Sequence, residues 1–171
     1  MQNFVGKHID RYRVTKRLGT GGMAVVYKAY DTRLERDVAI KLIRTEAIPA
    51  EQHERLMKRF EREAKSQARF SHPNIIAVHD YGEVEGAPYL VMEYIMGGTL
   101  KERLTGPVDY RQAISWVVPI ANALQYAHER NTIHRDVKPS NILIDENDRP
   151  IQISLVVIDV GEGHVGMRRG V

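Results

Sequence analysis

Between residues 11 and 45 apolar and polar positions alternate in short runs, Tyr12 to Leu18, Ala24 to Ala29 and Asp37 to Arg44, with Gly19, Gly21 and Gly22 between the first two. A period of two bounded by glycine predicts antiparallel strands, so this region reads as a meander. From Ala50 to Phe70 the spacing changes: Leu56, Met57, Phe60, Ala64 and Ala68 fall on one face of a helix, which His72-Pro73-Asn74 is expected to end. Two further strand-like runs, Ile75 to Asp80 and Tyr89 to Tyr94, flank the turn-rich stretch Gly82 to Pro88, and Gly97-Gly98 is the best hinge position. A second long helix is expected over Asp109 to Arg130. It is apolar almost all round, through Ala113, Ile114, Trp116, Val117, Val118, Ile120, Ala121, Ala123, Leu124 and Ala127, and so expects burial on several sides. Pro119 removes a hydrogen bond inside it and predicts a kink or a helix start there. A hairpin, Ile142 to Asp145 and Ile151 to Ser154, follows.

Composition narrows the class. Of 171 residues 43% are hydrophobic and 27% charged, with Lys+Arg 25 against Asp+Glu 22, which describes an ordinary soluble globular chain. Basic residues are interleaved with acidic ones (Arg33, Glu35, Arg36, Asp37; Arg59, Glu61, Arg62, Glu63), so no basic stripe for nucleic acid is expected. The absence of cysteine excludes disulfides, thiolate metal sites and a cysteine nucleophile. No run of about 18 apolar residues and no basic-then-apolar leader is present, so neither a membrane span nor a secretion signal is expected, and the location read from the sequence is cytoplasmic. His72, His79, His128 and His134 form no i, i+4 pair on a helix, which argues against a zinc site.

The glycine cluster Leu18-Gly19-Thr20-Gly21-Gly22-Met23-Ala24-Val25-Val26 lies between two strand runs, where missing Cβ atoms let backbone amides approach phosphate oxygens. No Gly-Lys-Ser/Thr follows, so it is not a Walker loop, and a strand rather than a helix comes next, so it is not a dinucleotide fingerprint. About 15 residues on comes Val38-Ala39-Ile40-Lys41, and far downstream His134-Arg135-Asp136-Val137-Lys138-Pro139-Ser140-Asn141. In this order the three segments resemble the protein kinases. Gly-Gly-Met-Ala-Val-Val-Tyr, His72-Pro73-Asn74-Ile75 and Val91-Met92-Glu93-Tyr94 are similar, more narrowly, to bacterial Ser/Thr kinases of the eukaryotic type, and Lys138 points the same way.

The resemblance covers about residues 8 to 154 and implies an α+β, protein-kinase-like fold. Residues 1–95 would form a small lobe of antiparallel strands plus one helix, 96–154 the first part of a helical large lobe, and 155–171 a divergent tail. It implies transfer of the ATP γ-phosphoryl group, with Mg2+, to Ser or Thr of a protein. Leu18 to Val26 and Ala39 would surround the nucleotide, Lys41 would hold its α- and β-phosphates, and Met92, Glu93 and Ile95 would form the inter-lobe segment whose backbone pairs with adenine. Asp136 would accept the substrate hydroxyl proton, Lys138 would stabilise the transferring group, and Asn141 would hold magnesium. Glu54, Glu61 and Glu63 compete as the carboxylate partner of Lys41. The helical wheel does not decide between Glu61 and Glu63; the family pattern Arg-Glu-Ala favours Glu63.

The resemblance breaks after Ser154. The family pattern demands Asp-Phe-Gly at 155 to 157, where this chain has Leu155-Val156-Val157, and three apolar side chains cannot hold a magnesium ion. Asp159-Val160-Gly161 lies four residues late, about 13 Å along a strand, and would have to bulge back to serve. Only 17 residues follow Ser154, so the activation segment and later helices are not expected here, and a truncated gene or shifted frame is the natural reading. Phosphoryl transfer by this chain is therefore expected to be impaired. The alternatives are a non-catalytic fragment that binds nucleotide or a partner, and a non-functional remnant.

Overall fold

The computed structural model describes residues 3–153 apart from Met23, Ala47 and Arg135. The expected meander is a six-stranded antiparallel sheet. Its strands are β1 (His8–Ile9), β2 (Tyr12–Thr20), β3 (Ala24–Asp31), β4 (Arg36–Ile43), β5 (Val78–Val84) and β6 (Ala87–Glu93), ordered β1-β2-β3-β4-β6-β5. Alternation along β4 sorts its side chains to two faces. Val38, Ile40 and Leu42 join Val14, Val25, Tyr27, Tyr89 and Val91 in one core. Ala39 and Ile43 join Leu90, Met92 and Ile76 in the other, beneath helix α1 (Ala50–Gln67).

The helix seats Leu56, Phe60 and Ala64 on that face, as its spacing predicts. Burying each of the two large side chains is worth about 1.5–3 kcal/mol. The outer face of α1 carries Glu54–Lys58 and Glu61–Lys65 ion pairs, both at 2.6 Å. The helix ends at Gln67, before the His72-Pro73-Asn74 segment.

The strands that follow differ from expectation. Ile75 and Ile76 do not open β5. They are buried and bond instead to a second, two-stranded sheet, β7 (Ile142–Ile144) and β8 (Pro150–Gln152): Gln152 N–H donates to Asn74 O at 2.8 Å and Ile76 N–H to Gln152 O at 3.0 Å. Most of Gly82 to Pro88 is strand, and the turn shrinks to Glu85 and Gly86, both with positive φ. Pro88 is tolerated because β4 pairs with β6 only as far as Tyr89, which leaves Pro88 a strand neighbour on one side alone.

Beyond the sheet, Gly97 and Gly98 sit at φ 132° and 79°. A Cβ on Gly97 would lie 2.0 Å from Ile144 O, so only glycine permits this approach to β7. Helix α2 (Leu100–Arg103) starts with a reciprocal cap between Thr99 and Glu102. Helix α3 (Tyr110–His128) is capped by Asp109 and runs unbroken through Pro119. Its burial is one-sided. Trp116 and Ile120 pack on Leu100, Ile142 and Ile144, and Ala123 and Ala127 pack on Ile75, while Ile114, Val117 and Val118 are 54%, 63% and 50% exposed. No helix among the described residues is long and apolar enough to cross a membrane.

Candidate active site

Three elements converge between the sheet and the β7–β8 hairpin. The first is the β2–β3 turn. Gly21 N–H closes it on Ala24 O at 2.8 Å, and none of Gly19, Gly21 and Gly22 has positive φ. A Cβ on Gly19 or Gly22 would meet nothing within 4 Å. Among the described residues, then, nothing packs where side chains of Gly19 and Gly22 would stand. Leu18 and Thr20 are exposed; Met23 lies outside the described residues.

The second element is an apolar wall beside α1. Ala39 and Met92 are buried there, with Val26, Ala24, Tyr94, Ile95 and Leu143 packed against them. Val25 is turned the other way, into the opposite core, so only its backbone faces this side. Leu143 is a wall residue that the sequence reading did not single out. It is the middle of Ile-Leu-Ile, and alternation on β7 turns it away from Ile142 and Ile144, which join Trp116. Glu93 is half-buried at the end of β6, and its N–H donates to Ala77 O at 2.9 Å.

The third element is charged. Lys41 stands on β4 between Ala39 and Ile43, on the face that receives α1. Burial lowers the pKa of its ammonium, opposed by the field of Asp136. Among the described residues no carboxylate lies within ion-pair distance, 4.0 Å. Of the three competing glutamates, Glu54 is taken by Lys58, and Glu61 by Lys65 with Tyr81 Oη at 3.3 Å, both on the exposed side. Glu63 is half-buried and bonded through Oε1 to Arg59 Nε at 2.9 Å, and its buried Oε2 has no hydrogen-bond partner among the described residues.

Asp136 and its neighbours form a closed network. Lys138 Nζ lies 2.8 Å from Asp136 Oδ2 and holds the carboxyl below the ordinary range, with Asn141 adding to the effect. Asn141 Nδ2 donates to Asp136 Oδ2 at 2.9 Å and to Asp136 O at 2.8 Å. Pro139–Asn141 is a single 3₁₀ turn, closed by Asn141 N–H on Lys138 O at 2.8 Å, which brings residues 136 and 141 together. Beneath them His134, 1% exposed, accepts the Asp136 N–H at Nδ1, 3.1 Å away. On its other side the ring places Nε2 2.7 Å from the Gln152 side-chain amide and 3.2 Å from Ile153 O. His134 is thus a post that sets the Asp136 backbone, a role its place in the sequence motif did not reveal.

The structure thus gathers Ala39, Lys41, Met92, Asp136, Lys138 and Asn141 around one side of the sheet. Asp159 and residues 155–157 lie outside the described residues. Chemically, the arrangement offers an open amide-rich loop, an apolar wall, a cation lacking an ion-pair partner among the described residues, and an ionised carboxylate beside an ammonium.

A sequence profile described as "Protein kinase domain" matches residues 12–164. The Serine/threonine-protein kinase PrkC of Bacillus subtilis is 44% identical over 144 residues, 82% of this chain and 22% of that protein. Serine/threonine-protein kinase PknB of Mycolicibacterium smegmatis is 43% identical over 145 residues, 81% of this chain and 23% of that protein. Among solved structures, the Mycobacterium tuberculosis PknI kinase domain superposes with a TM-score of 0.73 at 30% identity, covering 86% of this chain and 60% of that one. The apo form of PpkA-294 gives 0.79 at 26%, covering 88% and 60%. The chain spans about a fifth of the length of these curated relatives.

Proposed function

This chain belongs to the protein kinase family, and on that premise we propose that it is the ATP-binding part of a Ser/Thr protein kinase, built for γ-phosphoryl transfer to a Ser or Thr hydroxyl of a protein. The observation that carries the reading is Lys41, a half-buried cation with no carboxylate in reach among the described residues, set beside a glycine turn whose missing Cβ atoms leave open space. Phosphate oxygens supply the anion that Lys41 lacks, and the amides of Gly19 to Gly22 supply donors. Val26, Ala39, Met92 and Leu143 then bracket an adenine ring, and the backbone of Glu93 and Ile95 meets its edge.

Asp136 would take the hydroxyl proton of the acceptor, and Lys138 would offset charge on the transferring group. Asn141 fits a magnesium ion: its side-chain amide nitrogen donates to Asp136 twice, which leaves Oδ1 as a hard oxygen ligand. Bound there, the ion would neutralise charge on the phosphates. Glu63 is the proposed carboxylate partner of Lys41. In this reading residues 1–95 form the small lobe, 96–154 belong to the large lobe, and 155–171 are the divergent tail.

A second reading is favoured by one observation, Leu155-Val156-Val157 where the family carries its magnesium aspartate: this chain binds nucleotide and transfers phosphate poorly or not at all. Asp159, four residues on in the sequence, is the proposed replacement ligand.

Calorimetric titration of the chain with ADP and Mg2+ tests the shared core of both readings. Removing a charge-assisted contact in Lys41→Met is expected to weaken binding by about tenfold or more. Equal affinity in the two proteins removes Lys41 from the site.

A further inference from the structure

Gln152 is a polar exception on the β7–β8 hairpin. It pairs with Ile142 across the two strands and so shares a face with Ile142 and Ile144, which pack in one core with Trp116. Yet Gln152 is 1% exposed, and its Oε1 is buried with no hydrogen-bond partner among the described residues. A buried acceptor without a donor is destabilising, so an apolar side chain of the same shape would suit this row better. The use of the residue lies at the other end of its amide.

Gln152 Nε2 lies 2.7 Å from His134 Nε2, 2.9 Å from Asn141 O and 3.2 Å from Ile153 O. Two of these neighbours are carbonyls, which only accept, so the nitrogen is the end that faces them. One buried amide thus touches His134 and Asn141, the residues that bound the loop carrying Asp136 and Lys138. The backbone of Gln152 is itself fixed outside that loop, donating to Asn74 O at 2.8 Å and accepting the Ile76 N–H at 3.0 Å. His134 therefore meets a donor at each ring nitrogen, Gln152 at Nε2 and the Asp136 N–H at Nδ1, 3.1 Å away. A neutral imidazole has a single acceptor, so the two donors compete for it.

We propose that Gln152 is a positioning residue for the Asp136 loop: it clasps His134 and Asn141 together, and by contesting the one acceptor of the His134 ring it sets how firmly that ring holds the Asp136 amide. The proposal rests on the reading of Asp136 as the proton acceptor and Asn141 as the magnesium ligand. When Nε2 accepts from Gln152, the ring proton sits on Nδ1 and the Asp136 N–H loses its acceptor. When Nδ1 accepts from Asp136, the ring proton sits on Nε2 and faces Ile153 O, and Gln152 keeps its bond to Asn141 O. Because Asn141 Nδ2 in turn donates to Asp136, the clasp reaches the carboxylate from both ends of the loop.

The test compares the full chain in wild type and in Gln152→Met, which keeps the length of the side chain and removes the amide. Ring-nitrogen chemical shifts of isotope-labelled histidine, assigned to His134 through its own backbone, report the tautomer directly. Wild type is expected to show His134 shared between the two tautomers, and Gln152→Met a single one with the proton on Nε2. Titration with ADP, with and without Mg2+, is the second readout. Without the Gln152 donor Asn141 is held less firmly, so the gain in ADP affinity on adding Mg2+ should shrink by about two- to tenfold, while affinity in the absence of Mg2+ stays as in wild type. Gln152→Leu serves in place of the methionine variant should the latter not fold. The same His134 tautomer in both proteins, or a magnesium gain as large in Gln152→Met as in wild type, overturns the proposal. If Mg2+ adds nothing to ADP affinity in wild type, the reading of Asn141 as magnesium ligand fails, and the tautomer comparison still decides the clasp.

Discussion

Tyr12 on β2 donates its hydroxyl to Asp80 on β5 at 2.8 Å, joining strands that stand second and last in the sheet order. Arg11 Nη2 reaches the same carboxylate oxygen at 2.9 Å, and its guanidinium lies 4.7 Å above the Tyr12 ring. The sheet is therefore curled until its ends meet, which encloses the core of Ile40, Leu42 and Val91 without a helix on that face.

Tyr12→Phe keeps the ring and leaves Asp80 paired with Arg11, so it should cost only about 1 kcal/mol, or about 2–4 °C in thermal midpoint. Its pH signature is sharper. Burial, followed by the bond to Asp80, pushes the Tyr12 phenol well above its ordinary range. A group whose folded pKa is raised stabilises the fold below its unfolded pKa, and that contribution drains as pH rises toward the folded value. Urea midpoints of wild type should thus fall more steeply above about pH 10 than those of Tyr12→Phe. Parallel slopes would dissociate Tyr12 from the alkaline transition.

Phosphoryl transfer from γ-labelled ATP, to the chain itself or to a general Ser/Thr acceptor, is expected to stay at background, because residues 155 to 157 offer no magnesium ligand. Labelling that is present in wild type and lost in Asp136→Asn would contradict this and would assign Asp159 to the metal.

Gly19→Ala separates folding from binding. The added methyl meets no atom of the described residues within 4 Å, so stability should change by no more than about 0.5 kcal/mol. The same methyl occupies the space proposed for phosphate, and ADP affinity should drop several-fold. A calorimetric series showing full affinity would place the phosphates elsewhere.

Gly97→Ala should do the reverse. With φ at 132° and a Cβ built 2.0 Å from Ile144 O, the backbone must move, at an expected loss of more than about 2 kcal/mol. Gly106→Ala, which meets nothing within 4 Å, is the control and should be nearly neutral. Equal midpoints for the two variants would contradict the close approach of Gly97 to β7.

Strands β2 to β4 and the seated face of α1 were readable because alternation and helical spacing are local. The limits of β5 and β6 were not, because their glycine has a non-local cause. A Cβ on Gly82 would lie 2.6 Å from Tyr89 Oη, so that residue serves a cross-strand contact and marks no turn. The same division runs through the site. Lys41, Asp136, Lys138 and Asn141 could be found from motif order. Leu143 could not, since it reaches Ala39 and Met92 only through the fold, and the motif that contains His134 does not state the bond its ring makes to the Asp136 amide. The apolar circumference of α3 foretold burial all round, yet Val117 and Val118 remain half or more exposed.

Two hydrogen-bonded ties join the sheet to the β7–β8 hairpin. Residues 74 to 76 are fixed to Gln152, and Gly98 is fixed by the Ile144 N–H at 3.0 Å. Between these anchors and the strands stand Ala77 on one side and Tyr94, Ile95 and Met96 on the other, each with two soft torsions. The Glu93–Ala77 bond links the two short arms. The hairpin is also held to the sheet by packing, because Ile151 lies in one core with Ala39, Leu90 and Met92, and Leu143 packs against it. The Lys41 and Asp136 sides of the site are thus set relative to each other by two short chain arms and one shared apolar core, and a change in that core is felt at both.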